Sequence, residues 1–145
     1  MTTQRLEIPR WECIDLLRSQ QVGRLCIIED DFPLALPVNY RVAGSDLTTS
    51  IVVRTAPNTV IGQYHGKSSL EVDVVDTTRR TAWSVVVRGT FHHVAGEHSL
   101  PDPEPWLTVD RHHWMVLEPQ AISGRRFHAV LGDDGYSVDW AITTG

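Results

Sequence analysis

The chain has 145 residues, the length of one ordinary domain, and folding at this size buries about 68–70% of the surface that an unfolded chain exposes. With 41% hydrophobic and 21% charged residues, 10 Gly and 8 Pro, the composition excludes wholesale disorder and a collagen-like chain. Thirteen basic against 18 acidic residues give a formal charge of -5, and the cations are scattered rather than gathered in the stripe that nucleic-acid binding requires. No apolar run approaches the ~20 residues that cross a bilayer, and Met1 to Arg10 lacks the apolar core of a secretion signal. The expectation is a single soluble, cytoplasmic domain over residues 1–145, with no nucleic-acid or membrane partner.

From Pro9 to Gln20 the residues Trp11, Cys13, Ile14, Leu16 and Leu17 gather on one side and Glu12, Asp15 and Ser19 on the other, which predicts an amphipathic helix. After Gly23 the pattern turns to short β-branched runs. They predict six strands: Arg24 to Glu29, Leu34 to Val42, Leu47 to Arg54, Leu70 to Val75, Ala82 to Val94 and His113 to Ser123. Asp30 to Pro33 and Ala43 to Asp46 read as hairpin turns. Between the third and fourth strands, Pro57 or Asn58 can open a short helix that Gly66 can close. The Pro-rich stretch from Glu97 to Asp110 reads as a loop or short lid, and Tyr136 to Ile142 as a last short strand. Together these predict a mainly β fold, an antiparallel split β-barrel of six strands with a few short helices. Alternation leaves apolar residues such as Val86 on the outer face, where a helix, a cofactor or a second subunit must cover them.

Chemistry concentrates in Val52 to Thr59, where a strand carrying Arg54 and Thr55 runs into a helix start at Thr59. A guanidinium, two hydroxyls and free backbone N–H groups suit a phosphate, although an Arg at a strand end before a Thr cap is also a common structural arrangement. Cys13 and Cys26 lie among apolar residues without a C-x-x-C spacing and read as small core residues. His92-His93 and His112-His113 are strand neighbours whose side chains point to opposite faces, so each pair offers one ligand to an ion and no metal site is expected. No hydrolytic triad, P-loop or dinucleotide fingerprint is present.

The order of the opening helix, Val22-Gly23-Arg24-Leu25, Leu36-Pro37-Val38-Asn39-Tyr40, Arg54-Thr55-Ala56-Pro57-Asn58-Thr59, Glu71-Val72-Asp73, Trp83 to Gly89 and Ile122 to Arg126 resembles the pyridoxamine 5'-phosphate oxidase-like proteins of the FMN-binding split β-barrel fold. The resemblance covers most of residues 10 to 127. It implies a homodimer with two flavin sites at the interface, holding FMN or, in some branches, the deazaflavin F420, and an oxidoreductase activity on a small molecule. It further implies that Pro37, Val38 and Asn39 line the flavin ring, that Arg54, Thr55 and Thr59 hold the phosphate, that Ser84 beside Trp83 faces the ring or its polar edge, and that Arg125 or Arg126 approaches from the partner subunit. Trp83 also reads as a core residue.

Members of that family that bind FMN commonly carry Gly and Lys where this chain has Asn58 and Val60. A missing phosphate lysine forfeits a contact of roughly 1.5–3 kcal/mol. Three outcomes follow for the resemblance: Arg54 and the helix start suffice for FMN, the pocket takes another cofactor, or the fold serves as a cofactor-free dimeric interaction module.

Overall fold

A computed structural model describes residues 4–45, 47–106, 112–128, 131–132 and 135–136. The chain runs β1 (Gln4–Ile8), α1 (Arg10–Arg18), β2 (Val22–Glu29), β3 (Phe32–Asn39), β4 (Arg41–Ala43), β5 (Ser50–Thr55), α2 (Val60–Gln63), β6 (Gly66–Asp76), β7 (Thr81–His93) and β8 (His113–His128), with a small hairpin of β9 (Leu131–Gly132) and β10 (Gly135–Tyr136). All pairings are antiparallel, in the order β3-β2-β6-β7-β8-β5-β4, and β1 lies along the far end of β8.

The class is the expected one, a mainly β curled antiparallel sheet with, among the described residues, two short helices, but the main sheet there has eight strands rather than six. Two of the differences have local causes. The run from Leu34 to Val42 breaks at Tyr40, which leaves β3 and β4 as separate strands at opposite ends of the sheet order. Gln4 to Ile8, too short to show a period, pairs with β8 over Ile8↔Gly124 to Gln4↔His128. The expected third strand starts late, at Ser50, because Thr48 and Thr49 bond back to Ser45. Of the expected last strand only Tyr136 falls within the described residues.

Turn chemistry explains the first hairpin. Asp30 and Asp31 both take positive φ, 50° and 65°, as a two-residue turn matched to strand twist demands. At the next hairpin Gly44 supplies φ 82°.

The inner face of the curled sheet holds the main apolar cluster. Leu25, Ile27, Val38, Ile51, Val53, Leu70, Val72, Val85, Val87, Phe91, Met115 and Leu117 face inward from six of the strands. Cys13 and Leu17 of α1 enter the same cluster. Each such side chain contributes about 1.5–3 kcal/mol of transfer free energy. Pro9 stands at the N-cap of α1, and the helix seats closely on β8 because Gly124 has no side chain: a Cβ there would meet Cys13 Sγ at 2.6 Å. Cys13 is thus core, whereas Cys26 is a correction to the expectation. It lies half-buried on the outer face of β2, opposite in phase to Leu25 and Ile27.

Also on that outer face, Arg24 donates to Glu71 at 3.1 Å and to Asp73 at 2.8 Å. Burial and the neighbouring Asp73 carboxyl outweigh the Arg24 guanidinium and push the Glu71 carboxyl from 4.5 up to about 7.

Two expectations follow. Gly124→Ala destabilises the fold by about 1–3 kcal/mol in urea unfolding, and adding Cys13→Ala recovers part of the loss; additive losses would refute this packing account. For Glu71, a folded-state value above the unfolded one means that the native protein holds more protons between about pH 4.5 and 7, so stability falls as pH rises through that window. Glu71→Gln flattens that slope, and an unchanged slope in pH-resolved thermal melts would count against it.

Candidate functional site

Because Tyr40 alone joins β3 to β4, the two ends of the sheet order lie one residue apart, and β3 comes to stand beside β5. Tyr40 is fully buried; its hydroxyl donates to Leu17 O and its N–H to Gln21 O at 3.1 Å. Burial pushes the phenol well above its ordinary value, so this donor stays protonated.

At that junction lies a cleft of about 90 Å³, walled by Pro37, Val38 and Asn39 from β3 and by Val53, Arg54 and Thr55 from β5, with Ile61 and Pro105 at its margin. Five of the site residues named from the sequence therefore meet across about fifteen positions of chain. The volume is that of about three liquid waters, enough for a phosphoryl group, and far below the ~300–1,000 Å³ of pockets that enclose a whole ligand. A larger ligand has to lie along the outer face with one group in the cleft.

Strand alternation sorts the walls. Pro37, Asn39 and Arg54 point outward, whereas Val38 is buried in the core and offers a ligand its backbone. Thr55 is only 2% exposed, and its hydroxyl lies 2.8 Å from that of Thr59. Thr59 in turn donates to Ala56 O at 2.7 Å and accepts from Gly62 N at 3.0 Å as the N-cap of α2. Those hydroxyls are committed to shaping the turn. The helix itself is a single turn of four residues, shorter than the sequence suggests, and ends at Gln63; Gly66, at φ 136°, opens β6 instead.

The charged partner of Arg54 comes from an unexpected quarter. Residues 94–106 form a strap without helix or strand that crosses the outer face of β4, β5 and β8. Val94, Leu100 and Trp114 of β8 pack against Ala43, Val52 and Val116, and His98 lies against the Trp114 ring. Beyond this apolar anchor, Asp102 places both carboxylate oxygens on Arg54 Nη1, at 2.8 and 3.0 Å. Arg54 also lies 5.2 Å from the centre of the Trp114 ring. The Glu104 N–H donates to Asp102 Oδ1 at 2.9 Å; that bond and the guanidinium hold the Asp102 carboxyl below its ordinary value. Trp106 N–H donates to Asn39 Oδ1 at 3.0 Å, and Arg41 lies 3.8 Å from Glu104. The Pro-rich composition indicates a lid, but no sequence period marks Asp102 or Trp106 as the residues that fasten it.

The other named residues sit elsewhere. Trp83 and Ser84 on β7 pair with Arg126 and Arg125 on β8. Trp83 packs against the main core and, with Val74, Arg126 and Phe127, borders a separate cleft of about 320 Å³. Arg126 is bonded to Glu12 of α1. Arg54 pairs with Trp114, about eleven residues from Arg125 along β8 or roughly 35 Å of strand, so within one chain the two groups do not share a cleft. The His93 and His113 rings stack 3.8 Å apart, and His113 Nε2 lies 3.0 Å from Gly62 O. Among the described residues no three His, Cys, Asp or Glu side chains gather as metal ligands.

Known proteins agree with this architecture. An uncharacterized Mycobacterium tuberculosis protein, Rv0080, is 30% identical over 137 residues, covering 86% of each chain. The solved structure of an FAD-binding protein from Mycobacterium smegmatis is 28% identical and superposes with a TM-score of 0.68 over 86% of this chain and all of the other. An FAD-binding protein from Mesorhizobium loti shares the fold at 21% identity and a TM-score of 0.64, over 87% of this chain and 98% of that one. The sequence pattern of the pyridoxamine 5'-phosphate oxidase family matches residues 9–126, and the chain belongs to that family.

Proposed function

We propose that this protein is a flavin-binding oxidoreductase that acts on a small molecule, works as a homodimer, and seats the phosphate end of its cofactor in the β3–β5 cleft. The observation that carries this reading is the meeting of Pro37, Asn39 and Arg54 at one cleft in a chain that is 28% identical to an FAD-binding protein along that protein's full length. FMN, FAD and the deazaflavin F420 all present a phosphate together with a flat ring too large for the cleft.

The residues suit such a ligand. The Arg54 guanidinium, 17% exposed and held against the Trp114 ring, donates charge-assisted hydrogen bonds to a phosphate oxygen. Pro37 offers an exposed apolar surface to a ring, and the Asn39 amide a polar contact at its edge. Pro105 borders the cleft, and the Trp106 N–H holds the end of the strap on Asn39. A bound flavin supplies hydride exchange at N5, so no nucleophile or acid–base pair is demanded of the protein.

A second copy supplies the remaining groups. Since Ser84 and Arg125 lie beyond a flavin's reach from Arg54 of the same chain, they serve this ligand only from the partner, and Trp83 travels with them. Oxidation of pyridoxamine phosphate is not the favoured reaction: a second phosphate needs further cations, and the chain has one lysine.

A second reading, the cofactor-free dimeric module, draws on one observation. Val60 replaces the usual lysine while Asp102 already occupies Arg54.

Titration of purified protein with FMN, FAD, F420 and riboflavin separates the two. The oxidoreductase reading expects saturable binding of at least one phosphate-bearing cofactor. It also expects Arg54→Ala to weaken that cofactor about tenfold to a hundredfold while sparing riboflavin. Equal losses for riboflavin would remove Arg54 from the phosphate role, and binding of none of the four would favour the module.

A further inference from the structure

We infer that Asp102 is a specificity-determining residue of this cleft: its carboxylate on Arg54 disfavours a terminal phosphomonoester and selects cofactors whose phosphate is substituted on both sides, by ester or anhydride links. The inference rests on the flavin reading above and deepens it by naming the phosphate chemistry that the site takes.

The contact is built. Asp102 sits in a turn closed by its own bond from Glu104 N–H, and that turn holds Glu104 at φ 50°, a conformation that most side chains avoid. One side of the turn is tied down by Leu100 in the apolar anchor and the other by Trp106 on Asn39. The carboxylate is therefore positioned against Arg54 by three independent constraints rather than by a chance surface encounter.

Charge then decides between ligands. Arg54 and Asp102 cancel, and so do Arg41 and Glu104 at 3.8 Å, so these four groups present no net positive charge to an incoming phosphate. A phosphate that binds Arg54 either shares the guanidinium with Asp102 or pushes it aside. Sharing places two anions within a few ångströms of each other, and displacement takes from Asp102 its bonded guanidinium and leaves only the more distant Arg41. A phosphomonoester carries about -1.5 to -2 at neutral pH, whereas each doubly substituted phosphate of a diester or dinucleotide carries one negative charge. The second charge of the monoester faces Asp102 with no lysine at position 60 to offset it. Asp102 stands half exposed at the rim, which leaves an exit for the second arm. F420 through its phosphodiester and FAD through its phosphoanhydride carry one charge on each doubly substituted phosphate, whereas FMN ends in a monoester.

The test compares the wild type with Asp102→Asn, which keeps the size of the side chain and an oxygen for the Glu104 N–H. Fluorescence titration with FMN, FAD, F420 and riboflavin is expected to show FMN gaining about tenfold in affinity in the variant, FAD and F420 at most about threefold, and riboflavin nothing. Which of FAD and F420 the wild type binds identifies the source of the doubly substituted phosphate. An FMN gain no larger than that of FAD and F420 overturns the inference while leaving flavin binding intact. Should no flavin bind either protein, the functional reading fails, and Asp102 is judged by inorganic phosphate and dimethyl phosphate, followed through the backbone amide shifts of Asn39 and Arg54. A gain in the variant for inorganic phosphate alone then sustains the role of Asp102, and equal responses to the two anions refute it.

Discussion

Closure of the sheet at Tyr40 is the constraint on which the site depends. A single buried residue carries the chain from one end of the strand order to the other, and its hydroxyl is tied to the last turn of α1 through Leu17 O. Were that hydroxyl left without its partner, a buried polar group would cost roughly 1–3 kcal/mol, and β3 would lose the anchor that holds it against β5. The same tyrosine therefore links the seating of α1, the approach of the two ends of the sheet and the width of the cleft between Asn39 and Arg54. Gly124 completes the arrangement from the other side, because α1 reaches this depth only where β8 carries no side chain.

On that frame Arg54 and Asp102 face each other in the cleft. Arg54 is placed outward by strand alternation and would be a strongly hydrated cation if the surface around it were open. Instead β8 supplies an aromatic neighbour, Trp114, against which His98 of the strap lies, and the strap supplies a carboxylate through Asp102. The apolar half of the strap buries surface and the polar half is held by hydrogen bonds, so the two halves differ in what releases them. An anionic ligand competes for Arg54 without disturbing Val94 or Leu100. A cleft arranged in this way responds to the charge of its ligand as well as to its shape, which is the physical basis for relating Asp102 to cofactor choice.

The strand runs, the hairpin turns and the family were legible in the sequence because each rests on local signals: β-branched alternation, Asp-Asp and Ala-Gly turns, and short ordered motifs. What escaped was non-local. Nothing in the alternation from Leu34 to Val42 marks Tyr40 as a break, since its backbone is redirected by a bond to Gln21 and its side chain by one to Leu17. Cys26 has apolar neighbours in sequence but the outward phase of β2. The Arg54-Thr55 and Thr59 pattern showed a polar turn correctly, yet the division of labour within it, with the threonines bonded to each other and to α2 while arginine faces the strap, depends on which face each strand residue takes. Asp102 lies 48 positions from Arg54, and no periodicity relates the two.

The central claim is that β3, β5 and the strap form one ligand site. Backbone amide shift mapping during titration with FAD tests it most directly. The account predicts concerted shifts at Asn39, Arg54, Asp102 and Trp106, with Val94 and Leu100 little changed. Saturable binding whose shifts leave Asn39 and Arg54 untouched and cluster elsewhere on the sheet would contradict it.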